Sequence, residues 1–488
     1  MPERYIDFIG GEWTPAASGE TLPDINPADR REILGEFPNS STADARRAVE
    51  AAAAAQEAWA VLPAVARGEF LRRTADILEA RVDTVARDLM REEGKSLPEA
   101  RGETLRAVTI LRYYSAHAML PDGEVIPSAG AKTLLFTRRA PLGVCALITP
   151  WNFPIAIPVW KAAPALVFGN TVILKPSEHT PLTAWHLAQC FEEAKLPAGV
   201  FNVLFGEGAR VGEALVTARE VAAVSFTGSV ATGKTIAGWA AAQGKKYQLE
   251  MGGKNAAIVL PDADLDQAVT LTLSGAFKSA GEKCTATSRA IIHEAIYDRF
   301  AARLAQQAGA LKIGPGDDPD AYLGPVITAQ ARDRILSAIA AARAEGAELL
   351  CGGNVPEGAG LEHGFYVQPT LFGDVRPEMR VAREEVFGPV LCLMRARDLD
   401  HALSLANEVE YGLSASLFTR DLNAALTFAE RIQAGMVRIN GETAGVEPQA
   451  PFGGMKASSS YSREQGLAAR DFFTQIKTIS VDLALAPQ

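Results

Sequence analysis

Two kinds of hydrophobic pattern follow one another along the chain. Between residues 42 and 118, apolar side chains recur at three- and four-residue spacing, which predicts amphipathic helices at 42–62, 66–91 and 97–118. From residue 143, short apolar runs alternate with helical stretches, and this alternation predicts βαβ units that build a parallel sheet with helices on both faces. The predicted strands are residues 144–149, 171–174, 201–205, 221–227 and 247–249, and the predicted helices between them are residues 155–168, 181–195, 208–218 and 229–243.

A second series of strands and helices begins after Gly252-Gly253, so we predict a second α/β domain. Residues 124–140 have the composition of an extended ribbon, and the alternating tail at 477–483 has no neighbouring strand in sequence. A lone terminal strand needs a partner, so we expect the tail to pair with the ribbon or with another subunit. The predicted strands of the second series are residues 256–260, 290–294, 386–394, 413–418 and 436–440, and its predicted helices are residues 264–280, 297–311 and 329–346.

Composition narrows the class of protein. The 488 residues include 48 Lys and Arg against 58 Asp and Glu, a formal charge of −10, and 48% of residues are hydrophobic. These values exclude a mostly disordered chain and argue against nucleic acid or an anionic membrane as a partner. The five cysteines do not suggest a disulfide framework, and neither a secretory signal nor an apolar run long enough to cross a membrane is recognisable. We therefore expect a cytoplasmic protein, and we predict no metal site.

Residues 228–235 match the P-loop pattern GxxxxGK[ST], directly after a predicted strand and at the start of a predicted helix. One hypothesis is therefore a nucleoside triphosphatase, with Asp262 after strand 256–260 holding magnesium. A Gly-Ser turn at a helix N-terminus also suits the pyrophosphate of a dinucleotide, because free N–H groups and the helix dipole favour anions. In a third interpretation, Gly228 and Gly233 only relieve crowding between strand and helix. We favour the dinucleotide over packing alone, and packing over a triphosphate.

Three further residues are candidates for chemistry. Cys284 lies among small residues and beside Lys283, whose charge would favour the nucleophilic thiolate. Glu250 ends a predicted strand next to two glycines, which is a suitable place for a general base at a sheet edge. Asn152 also follows a strand, and its amide could stabilise an oxyanion. Taken singly, each has a structural alternative: a buried cysteine, a solvated strand-end charge and a turn-capping asparagine.

The order of several motifs resembles the NAD(P)-dependent aldehyde dehydrogenase superfamily over essentially the whole chain. The resemblance implies two doubly wound α/β domains, one for the cofactor and one for catalysis, plus a small β oligomerisation ribbon. It places a cofactor-binding domain at 1–118 and 140–251, a catalytic domain at 252–450, and an oligomerisation extension at 119–139 and 470–488. The motifs are Pro150-Trp151-Asn152-Phe153-Pro154, Lys175-Pro176-Ser177-Glu178, Phe226-Thr227-Gly228-Ser229, Leu249-Glu250-Met251-Gly252-Gly253-Lys254, Gly281-Glu282-Lys283-Cys284, Glu385-Val386-Phe387-Gly388-Pro389 and Pro451-Phe452-Gly453-Gly454.

The same resemblance implies roles for residues. Cys284 is the expected nucleophile, Glu250 the expected base, and Asn152 with the backbone N–H of Cys284 the expected oxyanion hole. Glu178 would accept ribose hydroxyls and repel a 2′-phosphate, which favours NAD, although Lys175 leaves NADP possible. The expected cofactor-binding residues are Trp151, Lys175, Ser177, Glu178, Gly228, Ser229, Gly252, Glu385 and Phe387.

A narrower resemblance concerns the substrate. Residues 281–289, 444–456 and 458–466 are similar to the α-ketoglutarate semialdehyde dehydrogenases, so we expect oxidation of this semialdehyde to 2-oxoglutarate by a homodimer or homotetramer. Succinate semialdehyde, glutarate semialdehyde or a neutral aldehyde is the alternative substrate, and a non-catalytic binding protein is the remote alternative. Succinate semialdehyde enzymes usually carry an arginine where this chain has Trp160. The candidates for binding a substrate carboxylate are Arg463, Arg112 and Lys278.

Overall fold

In the computed structural model, which describes residues 2–482, the first half of the chain forms eleven strands and eight helices. In chain order these are β1 (Asp7–Ile9), β2 (Glu12–Thr14), β3 (Thr21–Ile25), β4 (Ile33–Pro38), α1 (Thr42–Val61), α2 (Ala64–Ala80), α3 (Val82–Glu93), α4 (Leu97–His117), β5 (Val125–Ile126), β6 (Thr133–Pro141), β7 (Val144–Ile148), α5 (Ala156–Val167), β8 (Thr171–Lys175), α6 (Pro181–Glu193), β9 (Phe201–Val203), α7 (Gly208–Thr217), β10 (Val221–Thr227), α8 (Val230–Ala242) and β11 (Lys246–Glu250).

The second half adds ten strands and seven helices within the described residues. In chain order these are β12 (Asn255–Val259), α9 (Leu265–Phe277), β13 (Thr287–His293), α10 (Glu294–Gly309), α11 (Ala329–Ala344), β14 (Glu348–Cys351), β15 (Thr370–Gly373), α12 (Arg380–Arg383), β16 (Val390–Ala396), α13 (Leu399–Asn407), β17 (Tyr411–Gly412), β18 (Ser414–Phe418), α14 (Leu422–Arg431), β19 (Met436–Ile439), β20 (Met455–Lys456), α15 (Gly466–Phe473) and β21 (Thr474–Asp482). Across residues 2–482, no helix is both long and apolar enough to span a bilayer.

The first sheet has seven strands in the order β11-β10-β7-β8-β9-β1-β2. The strands from β11 to β9 run parallel, as predicted, whereas β1 and β2 form an antiparallel hairpin at the edge. Every residue of β7 and β8 is buried, because apolar clusters on both faces cover the sheet. The carboxyl ends of β7, β8, β10 and β11 therefore meet at one edge, where several predicted site residues lie.

The second sheet confirms the second predicted α/β domain. Its order is β14-β15-β16-β13-β12-β18-β19, and its strands run parallel except for β14. The predicted strand 386–394 begins only at Val390, because the preceding residues form a turn in which Phe387 has φ of 53°. The predicted helix 66–91 is two helices, α2 and α3, which are separated where Arg81 leaves the helical conformation.

A small antiparallel sheet of β5, β6 and β21 projects from the two domains. Strand β21 pairs with β6 over nine residues, from Thr474 opposite Pro141 to Asp482 opposite Thr133, which confirms the predicted pairing of the tail with the ribbon. Residues 483–488 of the predicted extension lie outside the described residues. The domain bounds remain predictions.

The segment between β19 and α15 leaves the second sheet and returns to the first domain. Ser460 bonds the backbone of Leu249 in β11 through both its amide and its hydroxyl group. Phe472 and Phe473 at the end of α15 belong to the apolar core beneath the first sheet. This return brings residues that are distant in sequence to the end of β11, where the site lies.

Candidate active site

A cleft of about 220 Å³, open to solvent, lies between the carboxyl edge of the first sheet and the second domain. Eight residues predicted from the sequence line this cleft, which therefore gathers motifs that are up to 236 positions apart. They are Trp151, Asn152, Gly228, Ser229, Gly252, Cys284, Glu385 and Phe387.

Cys284 follows a short 3₁₀ turn at Lys278–Gly281 that ends α9. Ser279, Ala280 and Gly281 all have positive φ, which turns the chain sharply toward the cleft. Glycine is required at 281, because a Cβ atom there would lie 2.4 Å from the carbonyl oxygen of Gly388. After the turn, the amide of Asn255 in β12 donates 2.8 Å to the carbonyl of Cys284, so the second sheet holds the loop.

The Cys284 thiol is neutral at physiological pH in this structure. Burial, together with the nearby carboxyl groups of Glu385 and Glu250, raises its pKa to about 12. Lys283, which the sequence suggested as a partner of the thiolate, is itself buried and lies within electrostatic reach of Glu99 and Glu442. Activation of this thiol therefore depends on deprotonation when substrate and cofactor occupy the cleft.

The raised pKa of Cys284 has a measurable consequence for alkylation by iodoacetamide. Because thiolate is the reacting form, we expect Cys284 in the free enzyme to react about a thousandfold more slowly than a free cysteine at pH 8. We also expect the rate to rise about tenfold per pH unit from pH 7 to 10 without a plateau. Peptide mass spectrometry after timed quenching measures this rate, and a plateau near pH 9 would contradict the assignment.

Asn152 lies in the loop between β7 and α5, and its side chain is buried against the Cys284 loop. The Nδ2 group of Asn152 donates 3.0 Å to the carbonyl of Glu282, two residues before Cys284. An amide group carries two N–H donors, and Asn152 lines the cleft, so one donor fixes the loop while the other is available to a bound oxygen.

A buried ion pair supports Asn152 from behind. Lys95 donates 2.8 Å to the Asn152 carbonyl and 2.7 Å to Glu103 on α4. Glu103 in turn accepts the backbone N–H groups of Ile155 and Ala156, both at 3.1 Å, at the first turn of α5. These bonds satisfy donors that the start of a helix leaves free, and they hold the Asn152 loop against α4.

Glu250 ends β11, as predicted, but its carboxylate is buried and does not line the cleft. Its Oε2 accepts a hydrogen bond from Ser459, while Oε1 has no hydrogen-bond partner among the described residues. Burial raises the pKa of Glu250 well above the usual value, and the nearby Glu464 adds to this effect. The carboxyl group lies within electrostatic reach of the Cys284 thiol, and a carboxyl with so raised a pKa is suited to act as an acid or a base.

The contacts of Glu250 were not predicted from the sequence. Ser459 forms an isolated antiparallel bridge with Glu250, and Ser458 bonds the carbonyl of Gly252 at 2.8 Å. On the other side, a Cβ atom at Gly453 would lie 2.7 Å from Glu250 Oε1. The serine run and the Gly453-Gly454 pair were visible as motifs, but only the fold places them around this carboxylate.

Lys175, Ser177 and Glu178 lie at the end of β8, beside the cleft rather than in its lining. Lys175 is buried and donates 2.9 Å to Glu178, while Ser177 accepts from the His179 amide at 3.2 Å. Lys175 keeps Glu178 ionised and lowers its pKa, although burial opposes this effect. The pair forms a polar extension of the cleft at the sheet edge.

Ser229 is the N-cap of α8, and its hydroxyl accepts from the Thr232 amide at 3.2 Å. The P-loop interpretation is wrong, because α8 starts at Val230 and Lys234 lies within the helix with an exposed side chain. The strand that precedes Asp262, the suggested magnesium ligand, is β12, and it belongs to the other sheet. The turn at Gly228-Ser229 nevertheless opens into the cleft at a helix N-terminus, which suits a phosphate group.

Glu385 reaches the cleft from the second domain. The amide of Gly253 donates 2.9 Å to its Oε1, and burial raises the pKa of Glu385 to about 6. A Cβ atom at position 252 would lie 2.0 Å from Glu385 Oε2, so a larger residue there would displace the Glu385 carboxylate. Trp151 and Phe387 meet edge to face, with ring centroids 5.6 Å apart, and form an apolar wall beside this carboxylate.

Arg334 is a cleft residue that sequence reasoning missed. It lies on α11, and its charge lowers the pKa of Glu385 across the cleft. A single arginine on a solvent-facing helix gives no recognisable signal, so only the approach of the two domains reveals it.

Together these groups suit a dinucleotide and a carbonyl substrate. The features match the parts of a dinucleotide. They are the N-terminus of α8, which suits a phosphate group, the carboxylates of Glu178 and Glu385, and the aromatic wall of Trp151 and Phe387. The Cys284 thiol and the Asn152 amide line the same cleft, and the buried Glu250 carboxyl group lies within electrostatic reach of the thiol. These are the groups that acyl transfer through a cysteine needs.

Comparison with known proteins agrees with this arrangement. Residues 13–479 match the model of the aldehyde dehydrogenase family. The chain is 51% identical to the α-ketoglutaric semialdehyde dehydrogenase of Bacillus subtilis, over 98% of both chains. It is 44% identical to the α-ketoglutarate semialdehyde dehydrogenase of Haloferax volcanii, over 98% of this chain and 99% of the other.

Solved structures share the fold almost completely. A putative aldehyde dehydrogenase from Burkholderia cenocepacia superposes with a TM-score of 0.96 and 38% identity, over 99% of both chains. A betaine aldehyde dehydrogenase from Staphylococcus aureus in complex with NAD⁺ superposes with a TM-score of 0.96 and 35% identity, over 98% of this chain and 95% of that chain.

Proposed function

Because the chain belongs to the aldehyde dehydrogenase family and is an NAD(P)-dependent aldehyde dehydrogenase, we propose that it oxidises α-ketoglutarate semialdehyde to 2-oxoglutarate with NAD. The observation that carries this proposal is the 51% identity over 98% of both chains to a relative with that substrate in its name. The Haloferax volcanii relative supports the same substrate.

In the proposed reaction, the Cys284 thiolate attacks the aldehyde carbon and forms a tetrahedral adduct. The free N–H of Asn152 Nδ2 and the Cys284 amide donate to its oxygen, since Asn152 already lies against the Cys284 loop. NAD, when bound, accepts the hydride. The acyl group then remains on the Cys284 sulfur as a thioester.

Glu250 is the proposed base for hydrolysis of that thioester. Its unpartnered Oε1 and its raised pKa fit a group that takes a proton from water and releases it again. In its resting position the carboxylate is held by Ser459, so a change of side-chain rotamer brings it toward the sulfur. Hydrolysis then yields the carboxylic acid and free Cys284.

The residues at the end of β8 support NAD over NADP. Lys175 is already paired with Glu178 at 2.9 Å, so its charge is not free for a 2′-phosphate. A second negative group beside Glu178 would be repelled, whereas two ribose hydroxyl groups can donate to that carboxylate.

We further propose a cytoplasmic homodimer or homotetramer. All five cysteines are free, which fits a reducing compartment. The antiparallel extension exposes Val125, Leu134 and Ile476, and such apolar strands commonly pack against another subunit. Light scattering after size exclusion would measure the mass, and a monomer would contradict the proposed assembly.

A substrate panel tests the proposed reaction. We expect kcat/KM for α-ketoglutarate semialdehyde with NAD to exceed that for succinate semialdehyde, glutarate semialdehyde or propanal by at least about tenfold. Absorbance of reduced nicotinamide measures each rate, and the same panel is run with NADP. Better turnover of another aldehyde would rule out α-ketoglutarate semialdehyde as the preferred substrate. If the folded protein turned over no aldehyde at all, a non-catalytic binding function would be supported.

A further inference from the structure

One face of α4 lies beside the Cys284 loop but outside the cofactor cleft. Glu99, Glu103 and Arg106 are spaced by four and three residues, so they share this face. Glu99 accepts from Ser279 Oγ at 2.9 Å in the turn that leads to Cys284. Glu103 accepts the first amides of α5, just after Asn152. Arg106 therefore lies on the same helix face, one turn beyond the residues that contact the Cys284 and Asn152 loops.

The loop at 443–452 connects the neighbourhood of Cys284 to Arg106. Thr443 Oγ1 donates 2.7 Å to the carbonyl of Thr285, directly after Cys284. Three residues later, the carbonyl of Val446 accepts a hydrogen bond from the Arg106 guanidinium. Three residues span at most about 11 Å, so Val446, to which Arg106 donates, lies within that distance of Thr443, which bonds the residue next to Cys284.

Arg106 is a half-buried cation with unused donors. Among the described residues its side chain makes one hydrogen bond, to Val446, and no ion pair, although a guanidinium carries five N–H donors. The nearest carboxylate on its own helix, Glu103, is already occupied by Lys95 at 2.7 Å and by two backbone amides. The other two nitrogens of Arg106, Nε and Nη1, are not among the buried atoms that lack a hydrogen-bond partner, so they are accessible to solvent.

Trp160 on α5 supplies a second unused donor on this side. Its side chain is only 7% exposed, yet its Nε1–H has no hydrogen-bond partner among the described residues. The indole packs against Phe452 at the end of the same loop, with ring centroids 5.2 Å apart. A buried donor without a partner is costly unless a ligand or water meets it.

We propose that Arg106 binds the distal carboxylate of the substrate and that Trp160 Nε1–H donates to its 2-oxo group. This inference rests on the proposed function and names the residues that select an acidic keto-semialdehyde. The five-carbon chain spans about 5 Å between its terminal carbons, and a charge-assisted hydrogen bond adds about 2.8 Å. The proposed site lies between the Cys284 loop and the loop at 443–452.

The other candidate cations are less suitable. Arg112 is exposed and forms ion pairs with Glu79 at 2.6 Å and Asp76 at 3.2 Å, so the sequence-based suggestion for Arg112 is not supported. Lys278 is exposed on the outer side of its turn. Arg463 lies close enough to Glu250 to lower the pKa of that carboxyl, which places its charge at the proposed base.

Arg106→Gln tests the proposal in the purified full-length enzyme. We expect the ratio of kcat/KM for α-ketoglutarate semialdehyde to that for propanal to fall roughly 30- to 100-fold, mainly through KM. Arg106→Lys keeps the charge but not the planar fork, so we expect a smaller loss of roughly three- to tenfold. Arg112→Gln, on the same helix, is the matched control and is expected to keep the wild-type ratio.

A second variant separates the two groups of the substrate. Trp160→Phe is expected to lower the preference for α-ketoglutarate semialdehyde over glutarate semialdehyde, which lacks the 2-oxo group, by about fivefold. Thermal melting checks that each variant is folded.

The possible outcomes distinguish this inference from the proposed function. If wild-type enzyme shows no preference for the keto-semialdehyde, the proposed function fails first. If wild type has the preference and Arg106→Gln keeps it, Arg106 does not bind the carboxylate. A selective loss with Lys278→Gln instead of Arg106→Gln would likewise overturn the assignment, and an unchanged preference in Trp160→Phe would remove the role of Trp160.

Discussion

Cys284→Ala is expected to lower aldehyde oxidation by at least about 10⁵-fold, because no other described group near the cleft can form the thioester. NAD affinity should be unchanged, since the cleft wall of Trp151 and Phe387 and the Gly228-Ser229 turn do not depend on the thiol. Absorbance of reduced nicotinamide measures turnover, and isothermal titration calorimetry measures NAD binding.

Cys351→Ala is the matched control for this experiment. Cys351 is half-buried in β14 at the far edge of the second sheet, where its thiol donates to the carbonyl of Pro369 and its side chain packs against an apolar cluster away from the cleft. We expect this variant to retain full activity. Substantial turnover by Cys284→Ala, with the protein folded and saturated with NAD, would rule out a thioester on this residue.

Glu250→Gln is expected to lower kcat by about 10²- to 10³-fold through slow hydrolysis of the thioester. Glutamine has nearly the same volume and can still accept the hydrogen bond from Ser459, so the fold should be retained. Formation of the thioester does not require Glu250 to deprotonate water, so the first turnover should still release reduced nicotinamide in a burst. The acyl-enzyme should then accumulate and appear in the intact mass as one added acyl group.

The pH dependence of hydrolysis follows from the same carboxyl group. The pKa of Glu250 is raised by burial and by Glu464, so the fraction of ionised base increases as the pH rises through that shifted value. We expect deacylation in wild type to accelerate with pH and to lose this dependence in Glu250→Gln. Glu348→Gln, at the exposed start of β14, is the control. A variant that neither accumulates thioester nor loses the pH dependence would exclude Glu250 as the base.

Much of the architecture could be predicted from the sequence because parallel strands have a strong local signal. The apolar runs that became β7, β8 and β10 are buried on both faces, and such runs alternate clearly with amphipathic helices. The short hairpin of β1 and β2 has no such signal, because strands of three residues are too short to show a recognisable hydrophobic pattern, although all three residues of β1 are buried. The break at Arg81 was also missed, since the helical spacing continues across it.

For the site, the sequence by itself determined the identity and order of the chemical groups. A cysteine among small residues, a strand-end glutamate and an asparagine after a strand are local features, and their motifs show the family before any contact is known. The glycines at 252 and 281 are visible in these motifs, but their reason lies in the folded structure: a Cβ atom at position 281 would collide with the backbone of Gly388, and one at position 252 with the side chain of Glu385.

Only the tertiary structure decided how these groups behave. The pKa values of Cys284 and Glu250 depend on burial and on carboxylates that come from distant segments, such as Glu385 and Glu464. Lys283 does not appear among the groups that shift the pKa of Cys284; it is buried and lies within electrostatic reach of Glu99 and Glu442 instead. Arg106 shows the same limit: its helix was predictable, but its lack of a partner appears only when distant segments pack around it. Electrostatics and hydrogen bonding act through space, and that is why they were not readable along the chain.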